Sequence, residues 1–170
     1  MIELYRCKSC GYLHVGPAPE TCPVCGAPKA SFVAFETLPE LAGTKTLEHL
    51  QAAFAGESQA IRKYTLWRSI AELEGAPQSA LDAFERAAAE ETAHALGHLA
   101  YMGGFGTTAD NLRAAAEGEG YETVEMYPSF AEDAEAEGFD EIAHYFRRVG
   151  GFEGSHRAEY VAALEELERS

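Results

Sequence analysis

Apolar side chains recur every three or four residues from Thr46 to the end of the chain, and this spacing is the period of an amphipathic α-helix. Glycine and proline interrupt the pattern three times, which divides the region into four predicted helices. We place these helices at residues 46–74, 78–102, 110–137 and 140–169. Asp110 is the expected N-cap of the third helix, and Pro128 should break or bend it. Four long helices with apolar stripes indicate a helix bundle.

The N-terminal segment differs in composition from the helical region. Cysteine, glycine and proline are frequent in residues 1–36, where aromatic residues are spaced between them, and this favours a few short strands and turns. Residues 37–45 have the character of a linker. The predicted organisation is therefore a small β domain at 1–36, a linker at 37–45 and a bundle at 46–170.

Charge and hydropathy exclude several classes of function. The formal net charge is −15 and the pI is near 4.7, so the surface repels phosphate backbones and we expect no nucleic-acid partner. No run of apolar residues is long enough to span a bilayer, and the start of the chain lacks the pattern of a secretion signal. We therefore expect no membrane association and a cytoplasmic location, where thiols stay reduced.

All 4 cysteines lie in the first 25 residues and form two Cys-x-x-Cys pairs, Cys7 with Cys10 and Cys22 with Cys25. Two such pairs place four thiolates around one tetrahedral metal ion. A segment of this size buries too little surface to fold alone, so the metal is expected to stabilise it. Zinc in a structural ribbon and a redox-active iron are both compatible with the spacing.

The helical stripes contain acidic residues at positions that should be buried. An unpaired buried carboxylate costs several kcal/mol, so one such position on each of the four helices is hard to explain without cations. In two of the helices the glutamate is followed three residues later by a histidine on the same face. This is the ligand arrangement of carboxylate-bridged di-iron bundles. The predicted ligands are Glu57, Glu91, His94, Glu119, Glu122, Glu153 and His156.

The other acidic residues and histidines have ordinary interpretations. Glu90 adjoins Glu91 but should face solvent, and His98 lies one turn beyond His94 and is expected to pack against a neighbour.

The sequence resembles known families at both ends of the chain. The segments Cys7-Lys8-Ser9-Cys10-Gly11-Tyr12 and Cys22-Pro23-Val24-Cys25-Gly26 resemble the two knuckles of rubredoxin, which favours iron. Gly11 and Gly26 are expected to adopt a positive φ there. The whole chain resembles rubrerythrin, and the matching segments are FAGESQA at 54–60, Glu91-x-x-His94, Asn111-Leu112, GExxE at 118–122, EMYP at 125–128 and Glu153-x-x-His156.

The resemblance implies a fold and an activity. The expected fold is mainly α, a ferritin-like four-helix bundle preceded by a small rubredoxin-like metal-binding β domain. Its N-terminal position resembles that in the "reverse" rubrerythrins. The implied activity is reduction of hydrogen peroxide to water in oxidative-stress defence, an NADH-linked peroxidase reaction through an external reductase or rubredoxin. The cofactor is Fe, one ion in the four-cysteine site and two in the bundle. Tyr64 and Tyr127 match the family's tyrosines near the di-iron centre, and Glu122 matches a carboxylate that exchanges with His94 as an iron ligand.

A different class of function remains open: a ferritin-like iron-storage or metal-buffering protein with a structural zinc ribbon. Colour distinguishes the two, because oxidised iron–thiolate sites are red and zinc–thiolate sites are colourless. The fourth helix also departs from a regular pattern, since Gly150, Gly151 and Gly154 surround its ligands. Each costs about 1 kcal/mol in a helix interior, so either the helix bends or another part of the chain packs closely against it.

The short connection between the second and third helices predicts a homodimer with exchanged helix pairs. His94 and Glu119 should lie at the same height of a bundle, so an in-chain connection must run back about 26 Å. Residues 103–110 span at most roughly 26–29 Å when fully extended. We therefore expect helices one and two of one chain to complete a bundle with helices three and four of another. An earlier end of helix two, near His98, is the alternative that would permit an ordinary crossover.

Overall fold

The computed structural model describes residues 3–36 and 40–169. The chain divides into two compact units, Met1–Gly104 and Phe105–Ser170. The boundary between them lies in the connection that follows the second predicted helix. Among the described residues, no helix is both long and apolar enough to cross a bilayer.

The first unit begins with a small antiparallel sheet. Its strands are β1 (Leu4–Cys7), β2 (Leu13–Val15) and β3 (Phe32–Ala34), and β1 lies in the centre. A single turn of 3₁₀-helix, Lys29–Ser31, leads into β3. The buried core of this module consists of Cys7, Cys22 and Phe32. Since two of these three residues are predicted metal ligands, a bound metal would be part of the core itself.

Two antiparallel helices complete the first unit, α1 (Lys45–Leu73) and α2 (Gln78–Tyr101). Both agree with the predicted boundaries to within one residue. The Thr44 hydroxyl accepts a hydrogen bond from the amide of Leu47 at 3.2 Å and so caps α1. Residues 37–39 of the predicted linker lie outside the described residues. The most buried helical positions include several alanines, which allow close helix packing: Ala71, Ala93, Ala95 and Ala100.

The second unit contains α3 (Thr108–Tyr121), a π-helical turn (Glu122–Met126), α4 (Tyr127–Ala136) and α5 (Asp140–Arg169). The predicted N-cap of the third helix is wrong. Thr107 is the cap, and Asp110 completes a capping box with it, because the two side chains bond each other's backbone amides. An acidic side chain in the first turn of a helix accepts hydrogen bonds from free backbone amides, as an N-cap side chain does. The sequence pattern therefore suggested Asp110 as the N-cap.

Pro128 does not break the third predicted helix. It lies in the first turn of α4, directly after the π-helical turn, in which the amide of Tyr127 donates to the carbonyl of Glu122. A proline lacks the N–H that an α-helix needs and its ring crowds the preceding turn. The wider π-helical turn accommodates both the missing N–H and the proline ring, so the helix continues from α3 into α4.

Candidate metal centres

The two cysteine pairs converge on one point. The Sγ atoms of Cys7 and Cys25 are 3.8 Å apart, those of Cys10 and Cys22 are 3.6 Å apart, and all four lie within 4.8 Å of one another. The two hooks have the same backbone pattern, because Gly11 donates to the carbonyl of Cys7 at 2.9 Å, as does Gly26 to that of Cys22. Both glycines have the predicted positive φ, +81° and +72°.

Backbone amides point at these sulfurs. Burial alone would raise the pKa of Cys7, but hydrogen bonds from the amides of Cys10 and Ser9 bring the pKa below that of a free thiol. The pKa of Cys10 is raised, first by burial and then by the neighbouring sulfurs. Four thiolates this close repel one another, so they ionise together only around a cation. The donor set therefore fits a tetrahedral metal ion.

The first unit also holds a carboxylate–imidazole cluster in the α1–α2 hairpin. Ligand atoms of Glu57, Glu91 and His94 lie within 4.8 Å of one another, and the three side chains are half-buried. Nδ1 of His94 lies 2.8 Å from a carboxylate oxygen of Glu91. The hydrogen bond between the two carboxyls raises the pKa of Glu57 and lowers the pKa of Glu91. These contacts bring together two carboxylates and an imidazole, which are groups that a cation would bind directly.

The second unit holds a cluster of the same composition on α3 and α5. Glu119, Glu153 and His156 offer ligand atoms within 4.8 Å of one another. Nδ1 of His156 lies 2.7 Å from Glu153 and 3.7 Å from Glu119. Partial burial, and then the charge of Glu153, raise the pKa of Glu119. In each unit the structure thus brings together a Glu-x-x-His pair and one further glutamate.

Glu122 lies beside the second cluster without belonging to it. It is the first residue of the π-helical turn, and no group of three potential ligands among the described residues includes it. Its charge raises the pKa of Glu119 and of Tyr127. For Tyr127 the larger cause is burial, and the phenol therefore stays protonated over a wide pH range.

Sequence reasoning missed the π-helical turn and the contacts that depend on it. A Cβ added to Gly150 would lie 3.0 Å from Cβ of Tyr127, and one added to Gly154 would lie 3.4 Å from Thr123. Close packing therefore explains Gly150 and Gly154, whereas a Cβ at Gly151 would meet nothing within 4 Å. The helix does not bend at these glycines, since α5 is one continuous helix. Thr123 also bonds back to the carbonyl of Glu119 at 2.7 Å. A proline inside an otherwise helical pattern was the available signal for an irregular turn.

One further predicted site residue, Tyr64, and two residues that were not expected to bind metal, Glu90 and His98, lie outside the ligand clusters found among the described residues. Tyr64 packs against Trp67 and Phe84 at ring distances of 5.7 and 6.3 Å within the α1–α2 hairpin. Glu90 is exposed, as predicted. His98 lines a cavity beside the cysteine module and is not part of a ligand cluster among the described residues.

Comparisons with known proteins find relatives of both the cysteine module and the helical region. The Rubrerythrin family model matches residues 48–164, and the model for the rubredoxin-like domain of rubrerythrin matches residues 5–33. A rubrerythrin from Porphyromonas gingivalis is 43% identical over 74% of this chain and 69% of its own. Reverse rubrerythrin-1 of Clostridium acetobutylicum is 35% identical over 55% of this chain and 59% of its own. A structure of fully reduced nigerythrin is 30% identical, covering 80% of this chain and 82% of that one with a TM-score of 0.37.

The matched families agree with the donor sets in the structure. Thiolates in a rubredoxin-like module and glutamate–histidine clusters on helices assign iron as the cofactor, one ion in the four-cysteine site and two in the bundle. The fold is mainly α, with a ferritin-like bundle after a small N-terminal β module. From its sequence, its paired site chemistry and its two family matches, the chain belongs to the rubrerythrin family and carries its rubredoxin-like domain at the N-terminus.

Proposed function

We propose that this protein is a peroxidase that reduces hydrogen peroxide to water in oxidative-stress defence. The observation that carries the proposal is the presence in one chain of an electron-transfer type of four-cysteine site and of glutamate–histidine clusters of di-iron type. When bound, iron supplies the electrons that break the O–O bond of peroxide. An iron store has no use for the first site, which favours a redox enzyme over the storage alternative.

In this proposal the two clusters hold the iron pair. Glu57, Glu91 and His94 bind on one side, and Glu119, Glu153 and His156 on the other. Glu122, close enough to act on the pKa of Glu119, is the additional carboxylate available to the pair. Carboxylates balance the positive charge of the metals, and partial burial strengthens that interaction.

Tyr127 and Tyr64 are proposed to serve the substrate. Because its pKa is raised, Tyr127 keeps its proton and is able to donate a hydrogen bond to the oxygen that leaves as hydroxide. Tyr64 lies in an aromatic cluster with Trp67 and Phe84, which fixes its ring. We assign Tyr64 a supporting role of the same kind on the α1 side.

A peroxide pulse tests the activity. The iron-loaded protein is reduced without oxygen and then mixed with an equal amount of either peroxide or dissolved oxygen, while absorption is followed. We expect peroxide to oxidise the protein far faster than oxygen does. Oxidation by peroxide no faster than by oxygen would refute the assignment, and a colourless four-cysteine site in the native metal form would favour the zinc-ribbon alternative.

The proposal includes the electron supply and the setting. An external NADH-dependent reductase or a rubredoxin reduces the four-cysteine site, and the cytoplasm keeps its four thiols available for metal. Assignment to the "reverse" type of rubrerythrin is also part of the proposal. With pure reductase candidates, NADH consumption that depends on both peroxide and this protein is the expected result.

We further propose that the active form is a homodimer with exchanged helix pairs. The seven proposed ligands are divided between the two units. The observed ends of α2 and α3 allow the distance between them in a single bundle to be compared with the reach of the connection. From His94 to Tyr101 the helix rises about 10 Å, and from Thr108 to Glu119 about 16 Å. A return to the same bundle then needs about 29 Å including the sideways step. Residues 102–107 span at most about 25 Å.

The alternative of an early end to helix two is wrong, because α2 continues to Tyr101. The connection is also far from extended, since Gly104 donates to the carbonyl of Leu99 and Gly106 to the side chain of Asn111. In addition, each unit exposes large apolar side chains of the kind that association buries. They include Leu66, Trp67 and Ile70 in the first unit and Phe130, Ile142 and Phe152 in the second.

Complementation between two inactive chains tests the exchange. One chain carries Glu91→Ala with His94→Ala, and the other carries Glu153→Ala with His156→Ala. In an exchanged dimer, a mixed pair has one site with both defects and one intact site. Random pairing makes about half of the dimers mixed, and each mixed dimer has one intact site out of two. We therefore expect about a quarter of wild-type turnover and of wild-type bundle iron. If each chain forms its own site, co-expression restores neither, and a monomeric mass with both iron sites filled would also refute the dimer.

A further inference from the structure

A cavity lies between the cysteine module and the C-terminal half of α2, within the first unit. Its volume is about 170 Å³. Both components of the unit contribute to its wall, which consists of Arg6, Gly11, His94, Gly97, His98 and Tyr101. One wall residue, Gly11, directly follows a predicted ligand of the four-cysteine site, and another, His94, is itself a ligand of the α1–α2 cluster.

The two walls meet at a pair of glycines. A Cβ added to Gly97 would lie 3.6 Å from the carbonyl oxygen of Gly11, so the knuckle backbone rests almost directly on the helix. A side chain of one carbon fits at that distance, whereas a branched one must push the knuckle away. Glycine is otherwise unfavourable in the middle of a helix by about 1 kcal/mol relative to alanine, so its presence needs a reason of this kind.

A second contact fixes the same face of α2. The ring of Phe35, which follows β3, packs against the ring of Tyr101 with 5.1 Å between centroids. His94, Gly97 and Tyr101 are spaced by three and four residues, which places them along one face of the helix. The module is therefore held at two points on that face, the knuckle at Gly97 and the end of β3 at Tyr101.

This arrangement connects the two kinds of metal site within a single chain. Cys10 is bonded to Gly11, the carbonyl oxygen of Gly11 would lie 3.6 Å from a Cβ at position 97, and Gly97 lies one helical turn from His94. We infer that α2 acts as a docking face that positions the Cys10 knuckle beside His94 of the same chain, and that Gly97 is the positioning residue. The inference rests on the proposed function for its purpose, which is delivery of electrons to the α1–α2 cluster.

The electron balance is simple. One electron crosses at a time, and two crossings with two protons convert one H₂O₂ to two H₂O. An external one-electron donor restores each electron that leaves the thiolate site. No bond to carbon forms or breaks, so the chain need only hold the two sites at a short and constant separation. A displaced knuckle lengthens that separation and slows the crossing.

The docking itself is tested without turnover. In zinc-loaded protein, nuclear Overhauser effects are expected between the Hα protons of Gly97 and the backbone protons of Gly11 and Tyr12. Gly97→Leu should remove them while far-UV circular dichroism stays unchanged. Gly97→Ala should keep them, and so should Ala83→Leu, which places the same leucine side chain at an exposed position of α2. Absence of the effects in wild type, or their appearance only between differently labelled chains, would overturn the inference.

Electron delivery is tested in the iron-loaded protein. Fully reduced protein is mixed with peroxide, and oxidation of the bundle iron and of the thiolate iron are followed at their separate absorption bands. In Gly97→Leu, oxidation of the bundle iron by peroxide (the first phase) should keep its rate. Oxidation of the thiolate iron, which passes its electron to the bundle (the second phase), should slow on the order of tenfold to a hundredfold, as for other losses of positioning. An unchanged second phase despite a lost Overhauser contact would overturn the positioning role. If the first phase is absent in wild type, the proposed function fails, and the Overhauser contact still decides the docking.

Discussion

Two neighbouring glycines in α5 offer a matched test of how closely the π-helical turn is packed. Gly150 is buried, and a Cβ there would lie 3.0 Å from Cβ of Tyr127. Gly151 is exposed, and a Cβ there meets nothing within 4 Å. Alanine at either position gains about 1 kcal/mol of helix propensity relative to glycine. The difference between the two alanine variants therefore isolates the packing cost at residue 150.

The size of that cost follows from the atom that is contacted. Cβ of Tyr127 is attached to the backbone and cannot rotate away, so the turn must shift by a few tenths of an ångström. Overpacking of this kind costs about 1–3 kcal/mol. Gly151→Ala should thus stabilise the protein by about 1 kcal/mol, whereas Gly150→Ala should be neutral or destabilising by up to about 2 kcal/mol.

Urea unfolding followed by far-UV circular dichroism measures the difference, with both variants at the same metal content. Neither glycine is a proposed ligand, so the contribution of bound metal cancels in the comparison. We also expect Gly150→Ala to slow peroxide turnover, because the shift moves Tyr127, and Gly151→Ala to leave it unchanged. A Gly150→Ala protein as stable as Gly151→Ala would refute the argument from close packing.

Three further predictions concern other parts of the chain. Cys10→Ser should abolish electron delivery yet leave helicity near wild type by circular dichroism, because the β module has its own core; loss of most helicity would contradict this. Glu122→Ala should keep bundle iron but slow peroxide turnover, and an unchanged rate would remove Glu122 from the mechanism. Thr107→Ala should destabilise by about 1 kcal/mol through loss of the cap. It should also raise the pKa of Asp110, which the Thr107 hydroxyl holds below its ordinary value; an unshifted carbon-13 titration of Asp110 would contradict the capping box.

The sequence was sufficient for the elements whose signals are local. The ends of α1, α2 and α5 follow from glycine, proline and the apolar period, and agree with the structure to within one residue. The clustering of the cysteines follows from their spacing. The glutamate–histidine groups follow from a physical conflict, since acidic residues recur at apolar positions of the helices.

Features that depend on packing between elements were not accessible in this way. The purpose of Gly150 becomes evident only when Tyr127 is placed against it, and the purpose of Gly97 only when Gly11 is. A glycine inside a helix can indicate that another part of the protein packs closely against it, but the sequence does not show which part. Similarly, Pro128 indicated an irregularity, but a kink and a π-helical turn both relieve its missing hydrogen bond, and the sequence does not separate them.

In the proposed dimer, metal binding and chain association are one coupled equilibrium. One unit supplies two carboxylates and one imidazole, which is half of a two-metal site, so full affinity requires the second unit. A metal ion that binds the dimer but not the separate chains stabilises the dimer by RT ln(1 + [L]/Kd) for each site, where [L] is the concentration of free metal. At an iron concentration about 100 times its Kd, each site adds about 2.7 kcal/mol, which corresponds to about a hundredfold tighter association per site. If the proposed dimer is correct, the di-iron centre forms only when two chains associate, and its bound iron in turn stabilises that association.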